Sequence, residues 1–374
     1  MTGDRVLAER PSWVEIDLDA MLHNLSLIRE AAQGAHIIAA LKADGYGHGA
    51  AAVARCLSKQ GIHSLATGSL DDARAVRAAR IDLPILLFGG PLPETYPDLV
   101  REGFTPTVYD RAGGEAVSAA GVKDAPFYIK VDCGLGRLGV RLEEALPFIQ
   151  WAATLPNAKL AGLYTHLPFA DAEGMAWSQM RIEKFDELLI AVESAGVRIP
   201  VTQALASAGL LAGLRSRANA VCPGHLLYGL SPVTPSLVRA EAFRPVLAAL
   251  KSQLIHVNRL GAGSLRTGVE RIGVLPLGVS DGFGVIASGQ EAYGLVGKNR
   301  APILGVSLEH MTLDLSDCPD AAVGNEVVLL GPGSNGTITL TELAQWQGLR
   351  PHQVLCAFDG RLASKHFLNG APLS

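Results

Sequence analysis

No run of about 18 consecutive apolar residues occurs in this 374-residue chain, so no bilayer-spanning helix is expected. A basic excess is missing too. Lys and Arg number 32 against 36 Asp and Glu, a net charge of −4. Without a basic footprint the chain is not read as a general nucleic-acid binder. Cysteine is scarce: Cys56, Cys133, Cys222, Cys318 and Cys356 are odd in number and scattered, with no CxxC pair. That spacing argues against a disulfide framework or a zinc site, and no metal is expected. The first residues, Met1 to Arg5, are polar and lack the apolar segment of a signal peptide, so a cytoplasmic location is expected. Charged residues make up only 18% and apolar ones 48%, which suits a large core and not disorder.

What is present is a regular alternation. Short apolar strands are expected at 14–18, 36–40, 64–67, 84–88, 105–108, 126–132, 160–166, 200–202 and 219–222. Helices are expected between them, among them 20–31 capped by Asp19, 50–59 and 175–194. This repetition fits a (β/α)8 barrel better than an open doubly wound sheet. Near Phe243-Arg244-Pro245 the pattern changes to short strands punctuated by Gly and Pro, with one late helix at 340–346 capped by Thr339 or Thr341. Two domains are therefore expected. A barrel spans 12–243 and a mainly antiparallel β domain spans 244–374, with residues 1–11 a candidate to pack on the latter.

The strongest local signal is Leu41-Lys42-Ala43-Asp44-Gly45-Tyr46-Gly47-His48-Gly49, directly after the strand 36–40. It puts one amine at a strand's C-terminal mouth and three glycines behind it, where backbone amides can approach an anion. A desolvated lysine loses its charge readily and can form a Schiff base, which points to carbonyl or pyridoxal phosphate chemistry. A lysine ending a strand before a glycine turn fits the same spacing without any chemistry.

The motif from Lys42 to Gly49 is similar to the pyridoxal-phosphate lysine motif of alanine racemases, the fold-type III family. Four further stretches resemble that family in order and spacing, and the resemblance runs from about Trp13 to Phe367. They are Lys130-Val131-Asp132-Cys133-Gly134-Leu135-Gly136-Arg137-Leu138-Gly139, Tyr164-Thr165-His166, Ala206-Ser207-Ala208-Gly209, and Val221-Cys222-Pro223-Gly224-His225-Leu226-Leu227-Tyr228-Gly229. The resemblance implies pyridoxal 5′-phosphate held by Lys42 as a Schiff base, with Lys42 as acid and base on one face of the substrate Cα. Tyr46, Ser207, Gly224 and the amide of His225 are implied as phosphate contacts. Arg137 is implied to bond the ring hydroxyl and approach the substrate carboxylate, which a guanidinium fork does well. His166 is implied to lie near the pyridine ring, and Lys130 to be a carbamylation candidate that orients Arg137. The implied partners are a small amino-acid substrate and a second copy of the chain, in a homodimer with shared active sites.

Several positions depart from the family pattern. The arginine that meets the pyridine nitrogen is Cys222 here, a neutral thiol at its ordinary pKa of about 8.5. The catalytic tyrosine donated across the dimer interface has no counterpart in Ala262–Val269, where Thr267 is the nearest match. A threonine hydroxyl is far weaker as an acid than tyrosine near its pKa of about 10. Gly278-Val279-Ser280-Asp281-Gly282 and Ser307-Leu308-Glu309-His310 also differ from the family around the same mouth, and a late phosphate-contacting tyrosine is Gly360. Ser280 and His310 join Thr267 as candidates for the second proton carrier. The readings left open are a racemase, a pyridoxal-phosphate lyase (aldolase or dehydratase) acting from one face, and a cofactor-binding protein without turnover.

Overall fold

The computed structural model describes residues 10–261, 263–358 and 360–373. The expected packing of residues 1–11 therefore lies outside the described residues for 1–9, as does Ala262 of the stretch that should carry the tyrosine. The described chain forms two compact units. One comprises residues 20–45 and 50–244; the other comprises 10–19, 46–49 and 245–373.

The first unit holds a closed barrel of eight parallel strands: His36–Ala40, Ser64–Thr67, Ile85–Leu87, Thr105–Val108, Ala125–Asp132, Ala158–Tyr164, Val201–Ala206 and Ala220–Cys222. Closure comes from the last strand pairing with the first, Ala220 opposite His36 and Val221 opposite Ile37. The alternation of strand side chains sends Ile38, Ala40, Ala66, Leu86, Tyr128, Tyr164, Val201, Ala220 and Cys222 into one apolar cluster. The interior is a packed core and not a channel. Connecting helices bury one stripe. In Leu18–Ala32, Met21, Leu25 and Ile28 are fully buried. Asn24 beside them is also buried, but its amide is satisfied: it accepts from Arg244 N (2.7 Å) and donates to the carbonyls of Leu227 and Arg244.

The second unit is an eleven-stranded, mostly antiparallel sheet. Its Leu340–Gln347 helix starts with a reciprocal cap between Thr339 and Glu342. A further helix, Pro351–Ala357, comes after it where only one late helix was expected; Pro351 supplies a preset first helical residue.

One strand changes sides relative to the sequence reading. The segment read as 14–18 and counted with the barrel is Ser12–Asp17, and it lies in the sheet of the second unit. It pairs antiparallel with Leu247–Gln253 and parallel with Ala363–Leu368. Its alternating burial suits a strand with one covered face, unlike the nearly continuous burial of His36–Ala40. The helix after it begins at Leu18, so Asp19 sits in the first turn and is not the cap. The change of unit in the middle of the chain falls between Arg244 and Pro245.

Candidate active site

The strand His36–Ala40 ends two residues before Lys42, which opens a short helical segment, Lys42–Gly47. That segment is left-handed. Ala43, Asp44, Gly45, Tyr46 and Gly47 have φ of 52°, 50°, 63°, 56° and 77°. Ala43, Asp44 and Tyr46 are not glycines, and each such residue costs roughly 1–2 kcal/mol in this conformation. Local bonds offset part of that cost. Gly45 N donates to Leu41 O (3.0 Å) and Ala50 N to the Asp44 carboxylate (2.7 Å). The glycine loop expected from the sequence is therefore a wound turn. Lys42 is exposed, with Nζ 6.0 Å from the centre of the Phe88 ring at the mouth of the barrel. Tyr46 lies in the four-residue piece that belongs to the second unit, where a Cβ on Gly47 would come within 2.3 Å of Leu355 O.

The fifth barrel strand carries Lys130 inside it, two residues before its end, and Asp132 as its last residue. Asp132 shapes the loop beyond the strand. One carboxylate oxygen accepts from Gly134 N (2.9 Å) and Leu135 N (2.8 Å), the other from Gly136 N (2.9 Å) and Arg137 N (3.1 Å). Four amides wrapped round one carboxylate fix the loop from which Arg137 projects. Gly139, at φ 136°, completes the turn; a Cβ there would stand 2.6 Å from Asp132 N. Lys130 is 6% exposed, with Nζ 5.8 Å from the centre of the Tyr164 ring. Burial, then the charges of Arg137 and Lys42, push its ammonium down to about 8 against the pull of Asp132.

His166 lies two residues past the end of the sixth strand. Burial first, then the positive charges of Lys42, Lys130, Arg137 and His225, push it down to about 3. Its imidazole is therefore neutral near pH 7. These causes bring Lys42, Lys130, Arg137, His166 and His225 into one electrostatic neighbourhood, which is positive and suited to an anionic ligand.

At the seventh and eighth strands the Ser207 hydroxyl is buried and accepts from Gly224 N (3.0 Å) and Leu226 N (3.3 Å). Cys222 ends the eighth strand. Burial holds its thiol protonated, pushed up to about 12 despite Lys42, while burial and then Cys222 raise Tyr128 to about 12. Tyr164 bonds the Thr107 hydroxyl (3.0 Å) inside the barrel. The sequence reading quoted Asp132 and Tyr164 within motifs but gave them, and Phe88, no role. For Asp132 a strand's two-residue period, counted back from Lys130 to Tyr128 and forward to Asp132, was the available signal.

These groups fit pyridoxal phosphate by the chemistry of the donor set. An amine at the strand mouth suits an aldehyde, a serine whose oxygen is filled by two amides keeps its O–H to donate to a phosphate, and a neutral imidazole suits a ring face. Thr267 is not part of this set; it is exposed in the second unit. Ser280 and His310 also lie in that unit. The Ser280 amide bonds Leu308 O (2.8 Å) and its Oγ is buried without a hydrogen-bond partner, while His310 is exposed. Next to Ser280, the carboxylate of Asp281 is fully buried, paired with Arg10 at 2.5 Å and accepting from Gly278 N.

Comparison with known proteins addresses the whole chain. The sequence profile described as "Alanine racemase, N-terminal domain" matches residues 16–232, and that of "Alanine racemase, C-terminal domain" matches 248–366. The chain belongs to the alanine racemase family. It is 33% identical over 370 residues to an alanine racemase of Desulfovibrio desulfuricans, covering 95% of this chain and 97% of that one. It is 35% identical over 377 residues to one of Sorangium cellulosum, covering 94% and 98%. Among solved structures it resembles the Clostridium difficile alanine racemase in complex with cycloserine, at a TM-score of 0.87 and 27% identity over 98% of both chains. The Bacillus anthracis enzyme with bound L-Ala-P gives 0.85 and 27%, covering 98% of this chain and 97% of that one. The alanine racemase family brings with it an enzyme class, the isomerase that racemises, and a cofactor, pyridoxal phosphate. Among the described residues no helix is long and apolar enough to cross a membrane, and no group of three or more His, Cys, Asp or Glu could hold a metal.

Proposed function

We propose that the protein interconverts the enantiomers of a small amino acid, alanine first among them, with Lys42 as the group that moves the Cα proton on one face. The carrying observation is that the positive charges of Lys42, Lys130, Arg137 and His225, together with burial, act on His166 and hold it neutral, in the same barrel as the buried Ser207 hydroxyl that takes the amides of Gly224 and Leu226. Pyridoxal phosphate, when bound, supplies the electron withdrawal that makes the Cα–H bond acidic. The remaining work falls to the chain. Lys42 would hold the cofactor's aldehyde carbon at rest and, once the substrate amine has displaced it, would be the free amine that takes or returns the Cα proton. Arg137 takes the substrate carboxylate in its fork. Ser207, whose oxygen takes the Gly224 and Leu226 amides and whose O–H is left to donate, would hold the phosphate, with Tyr46 and the amides of Gly224 and His225 assigned there by the family resemblance. The neutral His166 would meet the ring without adding charge, and Cys222, kept as a thiol, would offer the ring nitrogen only a weak partner, both placed there by the family resemblance.

The group on the opposite face is the distinguishing feature. In this reading it comes from a second copy of the chain, in a cytoplasmic homodimer, with the exposed Thr267 and His310 as the proton-bearing candidates; Ser280, whose Oγ is buried, is not presented to it. Leu265, Leu308 and Val279 are exposed apolar side chains in the same segments, the kind of surface a second copy would cover. The bound L-Ala-P and cycloserine named for the relatives support a substrate of alanine size.

The absence of tyrosine from 261–269 favours a second reading, a lyase that works from one face. The two separate when holoenzyme is incubated with L- and D-alanine, serine, threonine and lysine in D2O, with chiral analysis and product detection. Deuterium uptake with inversion supports the racemase. Uptake from one enantiomer alone, or release of an aldehyde or keto acid, supports the lyase. A protein that does neither overturns both.

A further inference from the structure

Lys42 is aimed by a turn that L-residues do not adopt unaided. Positive φ at Ala43, Asp44 and Tyr46 persists only where the surroundings fix it. One fixing contact comes from outside the turn. The backbone N–H of Asp44 donates to Asp72 Oδ2 at 3.3 Å, and the same oxygen accepts from the Thr67 hydroxyl at 2.9 Å. Thr67 is the last residue of the barrel strand beside His36–Ala40, the strand that leads to Lys42, with Leu65 standing opposite Ala39. Asp72 lies in the first turn of the helix Leu70–Ala78, whose cap Ser69 accepts from Asp71 N (3.1 Å) and Asp72 N (3.3 Å). The carboxylate is thus tied to a neighbouring strand and a capped helix, and it grips the amide two residues beyond the reactive amine.

We propose that Asp72 is a positioning residue for Lys42: anchored by Thr67, it holds the left-handed turn through the Asp44 amide and so sets where the amine stands. The proposal rests on the reading of Lys42 as the cofactor amine, but its primary test does not. Asp72→Ala removes the acceptor, Asp72→Asn keeps a neutral carbonyl acceptor, and Thr67→Val removes one anchor.

In the cofactor-free protein, hydrogen–deuterium exchange by mass spectrometry is followed in peptides covering 43–50, against peptides of the other barrel strands. Loss of a hydrogen bond worth about 1.4 kcal/mol corresponds to a tenfold change, so Asp72→Ala should raise exchange at 43–50 about tenfold and leave the distant strands unchanged. Asp72→Asn should recover most of the protection, and Thr67→Val should lose part of it. In parallel, pyridoxal phosphate titrated by absorbance should bind about tenfold more weakly to Asp72→Ala, and kcat should fall more than KM rises. Unchanged exchange at 43–50 in Asp72→Ala overturns the proposal. If that variant does not fold, equal and unaltered exchange in Asp72→Asn and Thr67→Val overturns it instead. Lys42→Ala separates the two ideas. Turnover retained there defeats the reading of Lys42, while the exchange result still decides the role of Asp72.

Discussion

Replacing Lys130 by methionine removes a charge from the barrel interior and keeps an unbranched side chain of similar length. Lys130 is 6% exposed, and burial, Arg137 and Lys42 lower its ammonium from the ordinary 10.5 to about 8. The difference, 10.5 − 8 = 2.5, corresponds to about 3 kcal/mol of preference for the neutral amine. Between these two values the unfolded chain keeps a proton that the folded protein has released, so unfolding free energy rises with pH across the window. Below pH 8 the folded protein carries the whole cost. Urea unfolding of the cofactor-free protein in CO2-free buffer, measured from pH 7 to 10.5, should therefore find Lys130→Met more stable by about 3 kcal/mol at pH 7. The gap should close towards pH 10.5. A gap that stays constant with pH, or a variant less stable at pH 7, refutes the account of Lys130 as a desolvated, charge-crowded amine.

The same geometry predicts three further outcomes. Asp132→Ala releases four backbone amides; because Gly134, Gly136 and Arg137 are exposed and can turn to water, a stability loss of about 2 kcal/mol is expected in denaturant titration. Its kcat/KM should fall on the order of a hundredfold as Arg137 loses its fixed base. Ser207→Ala should weaken pyridoxal phosphate binding about tenfold in an absorbance titration and lower the stability of the cofactor-free protein by about 2 kcal/mol or more in denaturant titration, because it strips the acceptor from the buried amides of Gly224 and Leu226. His166 is held neutral down to about pH 3 whereas the unfolded chain protonates from its ordinary 6.5, so cofactor-free protein should lose stability as pH falls from 6.5 towards 3. His166→Asn should flatten that dependence in acid titrations monitored by circular dichroism.

The barrel was legible because its strands are short, β-branched and nearly continuous in apolar character, with glycine or polar residues at their ends. Lys42 and His166 could be placed at strand mouths on that pattern alone, whereas the strand before Ser207 runs to Ala206 and not to the expected 202. Ser12–Asp17 was not assignable in the same way. Its alternation marks a strand, but its sheet is decided by pairing with residues 247–253 and 363–368, and no local signal carries that information. The turn after Lys42 reads by composition as an open glycine loop because three glycines suggest freedom. Its winding is fixed by hydrogen bonds, such as that of the Asp44 carboxylate with Ala50 N, which composition does not reveal. The grip of Asp132 on its loop comes from a carboxylate placed before four successive amides in a glycine-rich segment. That was readable in principle, yet apolar patterning marks the residue only as a strand's end.

The most direct measurement is peptide mapping of the holoenzyme after borohydride reduction, because two amines that act on each other, Lys42 at the mouth and Lys130 inside, belong to one barrel. The account predicts a phosphopyridoxyl group on Lys42, which blocks tryptic cleavage there and yields the peptide 30–55 with the added mass. The same mass on peptide 124–137, at Lys130, or on neither peptide, would contradict it.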